Sequence, residues 1–157
     1  MKIFILIVSK TFPKTHKRAG ESTGFVDNIS KLFTPANTKI HTIRANIDLW
    51  SKRAKEINDG RAFLSIRYWS GKPYNSEQVE ICKLRHIGIQ KFNVLEYEDN
   101  EGIERACYCV DDMAKQTLLT STLAKNDGLS LEDFREWFKD YDLSNSMAII
   151  HFTEFRY

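Results

Sequence analysis

"TKIHTIRAN", Thr38 to Asn46, sets Lys39, His41, Thr42 and Arg44 around two isoleucines. In a regular strand successive side chains point to opposite faces, so Lys39 and His41 share one face while Thr42 and Arg44 share the other. Lys39 and Thr42 converge only if Lys39 sits in the loop after Pro35 or at a bulge that re-aims it. The segment is therefore either an ordinary strand with surface cations or one wall of a polar cleft.

Upstream, "MKIFILIVSK" reads as a buried strand over about Lys2 to Ser9. It leads into a basic loop with Lys10, Lys14, His16, Lys17 and Arg18, either a mobile arm or a cover over a ligand. Phe25, Val26, Ile29 and Leu32 recur at helical spacing from Ser22 or Thr23 up to Pro35. Downstream, Ile47, Trp50, Ala54 and Ile57 mark a second amphipathic helix, with Gly60 as its cap.

"RAFLSIRYWSGKPY" returns to a period of two and predicts a strand running into a turn at Ser70 to Pro73. "EQVEICKLRHIGIQKFNVLEYE" and "IERACYCVD", split by the acidic turn "EDNEG", predict three strands in antiparallel order. "DDMAKQTLLTSTLAKNDG" reads as a helix with acids at its start and Gly128 beyond its end. In "SLEDFREWFKDY", Ser130 and Asp133 form a capping box with the shorter acid, and Phe134, Trp137 and Phe138 fall at core spacing. "MAIIHFTEF" predicts a last strand.

A length of 157 residues with 42% hydrophobic content suits one soluble domain spanning 1–157. The apolar run Ile3 to Val8 is short, and no small-residue cleavage site follows it. No stretch approaches the ~20 apolar residues that span a bilayer, so no membrane partner is expected. Cys82, Cys107 and Cys109 are an odd, sparse set that fits reduced thiols in a cytoplasmic protein. With His86 they lack paired zinc-ligand spacing, so half-buried apolar cysteines are expected, and no metal or other cofactor. Residues 1–61 carry 12 Lys+Arg against 5 Asp+Glu, and the remainder 11 against 16. A basic first third suits a phosphate-bearing partner, although it equally suits a solvated face that balances the acidic part.

The order Lys39-x-x-Thr42-x-Arg44, followed by a strand-rich stretch, "LAKNDGLSLEDFREWF" and a final apolar strand, resembles the ASCH domain family of the PUA-like superfamily. The resemblance covers 34–155 and leaves 1–33 as an N-terminal strand, loop and helix extension. Asn37 stands where the family usually has a glycine, and asparagine tolerates left-handed backbone angles. The resemblance implies an α+β fold, a small PUA-like mixed or antiparallel β-barrel with flanking helices, and a cleft for RNA, a nucleotide or a nucleoside. In some members the lysine and threonine act with a carboxylate to deacetylate acetylcytidine, and others are RNA-binding proteins or ribonucleases. Carried over by position, the catalytic set is Lys39 and Thr42 with Asp127, an aspartate where the family has a glutamate.

The chemistry of such a set is general. A threonine hydroxyl attacks only after a base takes its proton, and a lysine serves as that base only when burial or a neighbouring cation such as Arg44 lowers its pKa. Arg44, Arg67 or backbone amides would steady the oxyanion. Trp69 and Tyr74 flank the "SGK" turn, where a ring can stack on a base while Lys72 or Arg67 meets phosphate; alternatively Trp69 covers one end of the barrel. The expected ligand-binding residues are thus Arg44, Arg67, Trp69, Lys72 and Tyr74. His41 is either a proton shuttle or a structural histidine.

Overall fold

In the computed structural model of the chain, the described residues are 1–114 and 117–157, excepting the side chains at 105, 106, 113, 114 and 117–119. Strand β1, Lys2–Ile7, is followed by the basic loop and the six-residue helix α1, Phe25–Ser30. Next come β2, His41–Arg44, helix α2, Ile47–Asn58, and strands β3, Ala62–Trp69, and β4, Gln78–Leu84. Strands β5, Gly88–Glu98, β6, Glu104–Val110, and the short β7, Met113–Ala114, lead to helices α3, Thr117–Asn126, and α4, Leu131–Phe138. Strand β8, Met147–His151, ends the order.

The strands form two sheets, ordered β1-β3-β4 and β2-β8-β5-β6-β7. Pairing is antiparallel except between β1 and β3, which run parallel with Lys2 opposite Ala62. The fold is α+β, and the expected closed PUA-like barrel is not formed among the described residues. Two features keep it open. Strands β1 and β2 are each the edge of their sheet, and among the described residues one side-chain bond stands between them in place of a ladder, from Arg44 Nη2 to the Ile7 carbonyl at 2.7 Å. Across the molecule the chain leaves β4 at Leu84 and enters β5 at Gly88 in the other sheet, so β4 pairs with β3 while β5 pairs with β6 and β8. The expected antiparallel trio is therefore divided between two sheets.

One apolar cluster joins both sheets and the helices, from Leu6 on β1 and Phe25 on α1 to Phe92, Phe134 and Ile150. Residues 1–33 thus share the core, through Leu6, Val8, Phe12, Phe25, Ile29 and Leu32. Helix α2 covers the stretch its spacing indicated, and at its start Asn46 Oδ1 accepts from Leu49 N at 3.0 Å. Helix α1 is shorter than expected. It stops before Lys31, and the following turn is tied back by Asn28 Oδ1, which accepts from the Thr38 amide and hydroxyl at 3.0 and 2.8 Å. Asp111 and Asp112 turn with positive φ before β7, so the third helix starts later than its acidic residues suggested, and Lys115 and Gln116 lie outside the described residues.

The basic loop is fastened to α4. His16 Nδ1 accepts from Arg18 N at 3.0 Å, which leaves Nε2 to donate to the Asp133 carbonyl at 3.1 Å. Arg18 Nη1 meets Asp133 Oδ2 at 2.6 Å, and the His16 ring stacks on Phe12 with centroids 4.3 Å apart. His16 is therefore a buried structural residue. Among the described residues no helix is long and apolar enough to cross a membrane.

Candidate functional site

Lys39 precedes β2 and makes an isolated bridge with Asp127, so it sits in the irregular position that convergence with a cleft demanded. Asn37 Oδ1 accepts from the Lys39 amide at 3.0 Å, a side-chain turn that fixes the entry to the strand. Asp127 is placed by the end of α3, where Gly128 takes φ +79° and packs against the lysine stem. The Lys39 ammonium, fully buried, donates to the Asp127 carbonyl at 2.7 Å and to Oδ1 at 2.9 Å. It also lies 3.9 Å from the centre of the Phe25 ring, a cation–π contact beside its two hydrogen bonds.

Burial pulls the Lys39 pKa below its usual value; Asp127 resists the fall and Arg44 adds to it. Burial alone would raise Asp127, but Lys39 and His41 outweigh it and hold the carboxyl below its usual range. The Thr42 hydroxyl instead accepts from Arg44 Nη1 at 2.8 Å. No hydrogen bond joins it to Lys39 or Asp127 among the described residues.

The pair belongs to a larger buried polar network. His41 Nδ1 lies 3.5 Å from Asp127 Oδ1, long for a hydrogen bond, and its Nε2 is 2.7 Å from the Tyr157 hydroxyl. Asn126 Nδ2 donates to that hydroxyl at 3.1 Å, and the Tyr157 amide donates to Gln90 Oε1 at 3.0 Å. His151 Nε2 reaches the same Gln90 oxygen at 2.9 Å. Gln90, Asn126 and Tyr157 carried no sequence signal, because each lies far along the chain from the partners that make it useful.

A separate cavity of about 650 Å³ opens where the sheets part. Trp69 and Tyr74 line it, with centroids 5.3 Å apart, and so do Phe25 and Trp137, 5.7 Å apart. Tyr141 completes the aromatic wall, and among the described residues Arg44 and Lys10 are its cations and no Asp or Glu lines it. Trp137, assigned to the core by its spacing, is half-buried and faces this space. Lys39, Thr42 and Asp127 are not in the lining, whereas Phe25 touches both Lys39 and the cavity.

Of the expected ligand-binding residues, Arg44, Trp69 and Tyr74 come together here. Lys72 is exposed in the turn between Gly71 and Pro73, both lining residues, but is not itself in the wall. Arg67 faces elsewhere, donating from Nε to Ser65 Oγ at 2.8 Å and lying 3.7 Å from Glu80. Cys82 lies on β4 in one sheet and Cys107 and Cys109 on β6 in the other, all free. Among the described residues no group of three His, Cys, Asp or Glu side chains is placed to hold a metal ion. Comparison with known protein families, curated proteins and solved structures finds no match to this chain.

Proposed function

We propose that the chain binds a nucleobase-bearing ligand, RNA or a nucleotide or nucleoside, in the aromatic cavity. One observation carries this reading: a space of about 650 Å³ combines aromatic rings with Arg44 and Lys10 and, among the described residues, has no carboxylate in its wall. The volume falls in the usual range of small-ligand pockets. Rings accept any base face by stacking, and cations without competing acids favour phosphate. A second cavity of about 710 Å³ has Glu96 and Asp142 beside Arg135 and Lys139, a mixed wall that suits an anion less well. The resemblance of the Lys39-Thr42-Arg44 segment to the ASCH family suggests the same ligand class.

The test is a titration of tryptophan fluorescence with single-stranded RNA and with nucleotides, since Trp69 and Trp137 line the cavity. Quenching that weakens with rising salt and is lost in Trp69→Ala is expected. No quenching, or RNA affinity indifferent to salt, rejects the reading.

The 2.9 Å contact of Lys39 with Asp127 favours a second reading, an amidohydrolase that deacetylates acetylcytidine. Lys39 would then need to be neutral and to reach Thr42 past the present Arg44 bond. Release of acetate from acetylcytidine, abolished in Lys39→Ala, is the expected result under that reading. Absence of turnover removes it and leaves the binding reading intact.

A further inference from the structure

We infer that the cavity selects a phosphomonoester, a nucleoside monophosphate or the phosphorylated end of an RNA, and that Arg44 is its receptor; this deepens the nucleobase reading above and rests on it. A guanidinium has five N–H donors. Three are spent inside the protein: Nη1 donates to Thr42 Oγ1 and to the Ile43 carbonyl, both at 2.8 Å, and Nη2 to the Ile7 carbonyl at 2.7 Å. The Nε–H and one Nη2–H remain, on a side chain that lines the cavity.

Arg44 makes no ion pair among the described residues, and it is half-buried. Its three internal acceptors are all neutral, and Asp127, the carboxylate whose charge reaches it, is already in contact with Lys39, so among the described residues no counter-ion touches the guanidinium in its partly desolvated place. An anion with two oxygens matches the two remaining donors, as guanidinium pairs with carboxylate and phosphate throughout proteins. Bonds to both β1 and β2 hold the guanidinium in place before any ligand arrives, which reduces the ordering cost of binding.

Charge separates phosphate from carboxylate. Lys10 is the second cation of the lining, held at the rim by its bond to the Ser70 carbonyl at 3.2 Å. A phosphomonoester carries roughly −1.5 to −2 near neutral pH, which answers two cations. A carboxylate would leave one of them unanswered.

The experiment compares each ribonucleoside 5′-monophosphate with its nucleoside, its nucleoside 5′-carboxylate and inorganic phosphate, read by tryptophan fluorescence. A short RNA with and without a 5′-phosphate forms the parallel arm. The monophosphate is expected to bind at least about tenfold more tightly than the nucleoside. Arg44→Lys and, separately, Lys10→Gln are expected to shrink that ratio. Because Lys10 is exposed, its variant keeps the test open if Arg44→Lys fails to fold. A gain from the RNA 5′-phosphate that exceeds the gain from the mononucleotide phosphate assigns the site to RNA ends, and the reverse assigns it to free nucleotides. Nucleoside and monophosphate binding equally, or carboxylate matching phosphate, overturns the phosphomonoester inference while leaving the nucleobase reading standing. Failure of every base-bearing ligand overturns both.

Discussion

Lys39 places a formal charge where water does not reach, and its stability depends on Asp127. Removing one partner of such a pair strands the other, so Asp127→Ala is expected to cost roughly 3–5 kcal/mol in urea denaturation. Adding Lys39→Met to that variant should return most of the loss, because the stranded cation is what costs. Failure of the second change to restore stability would show that the carboxylate matters through His41 instead. Gly128 sets a second test beside it. A Cβ there would lie 3.0 Å from the Lys39 Cβ at φ +79°, so Gly128→Ala should cost about 1–2 kcal/mol from the backbone alone. The chain makes the Lys39–Asp127 contact across 88 positions. Residue spacing predicts nothing at that range, and only the family resemblance drew the two together.

Elements with one apolar face were legible; their partners were not. Helix α2 shows in Trp50, Ala54 and Ile57, which are buried as their spacing requires. Alternation along β3 and the apolar run of β8 revealed strands, but such patterns state only that side chains are covered, not which edge is shared. Hence β4 and β5 read as neighbours although they lie in different sheets. The basic loop was ambiguous for a similar reason, since its anchor, Asp133, is 115 residues from Arg18. Asp133 also shows how a local signal can be half right. Ser130 Oγ accepts from its amide at 3.1 Å, as a capping box requires, while its carboxylate turns outward to Arg18. Ser130→Ala is expected to lower stability by ~1 kcal/mol, measured by chemical denaturation. An unchanged midpoint would mean that the Arg18 contact alone sets the start of α4.

For the whole molecule, two buried imidazoles set the response to acid. Burial, with His41 and Arg156 nearby, pushes His151 down to about 3, and burial also lowers His41 against the pull of Asp127. A free histidine titrates near ~6.5. Between these values the unfolded chain binds protons that the folded chain refuses, so stability is complete above ~6.5 and declines as pH falls towards about 3. The depressed Asp127 carboxyl adds its loss only below the ordinary carboxylate range. Urea midpoints measured from pH 8 to pH 4 should trace this decline, and His151→Gln should make it shallower. A flat profile would show that His151 charges in the folded state.

The side-chain bond between the β1 and β2 edges gives the molecule a compliant seam. Ladders resist sliding because many backbone bonds must break together, whereas among the described residues the edges are tied by one guanidinium. Shear between the halves on this side would therefore unzip neither sheet, and the same guanidinium that would grip a guest would also set how far they part. Occupancy would then be felt as tension along the seam, most directly by the amides at the open borders of Lys2–Ile7 and His41–Arg44.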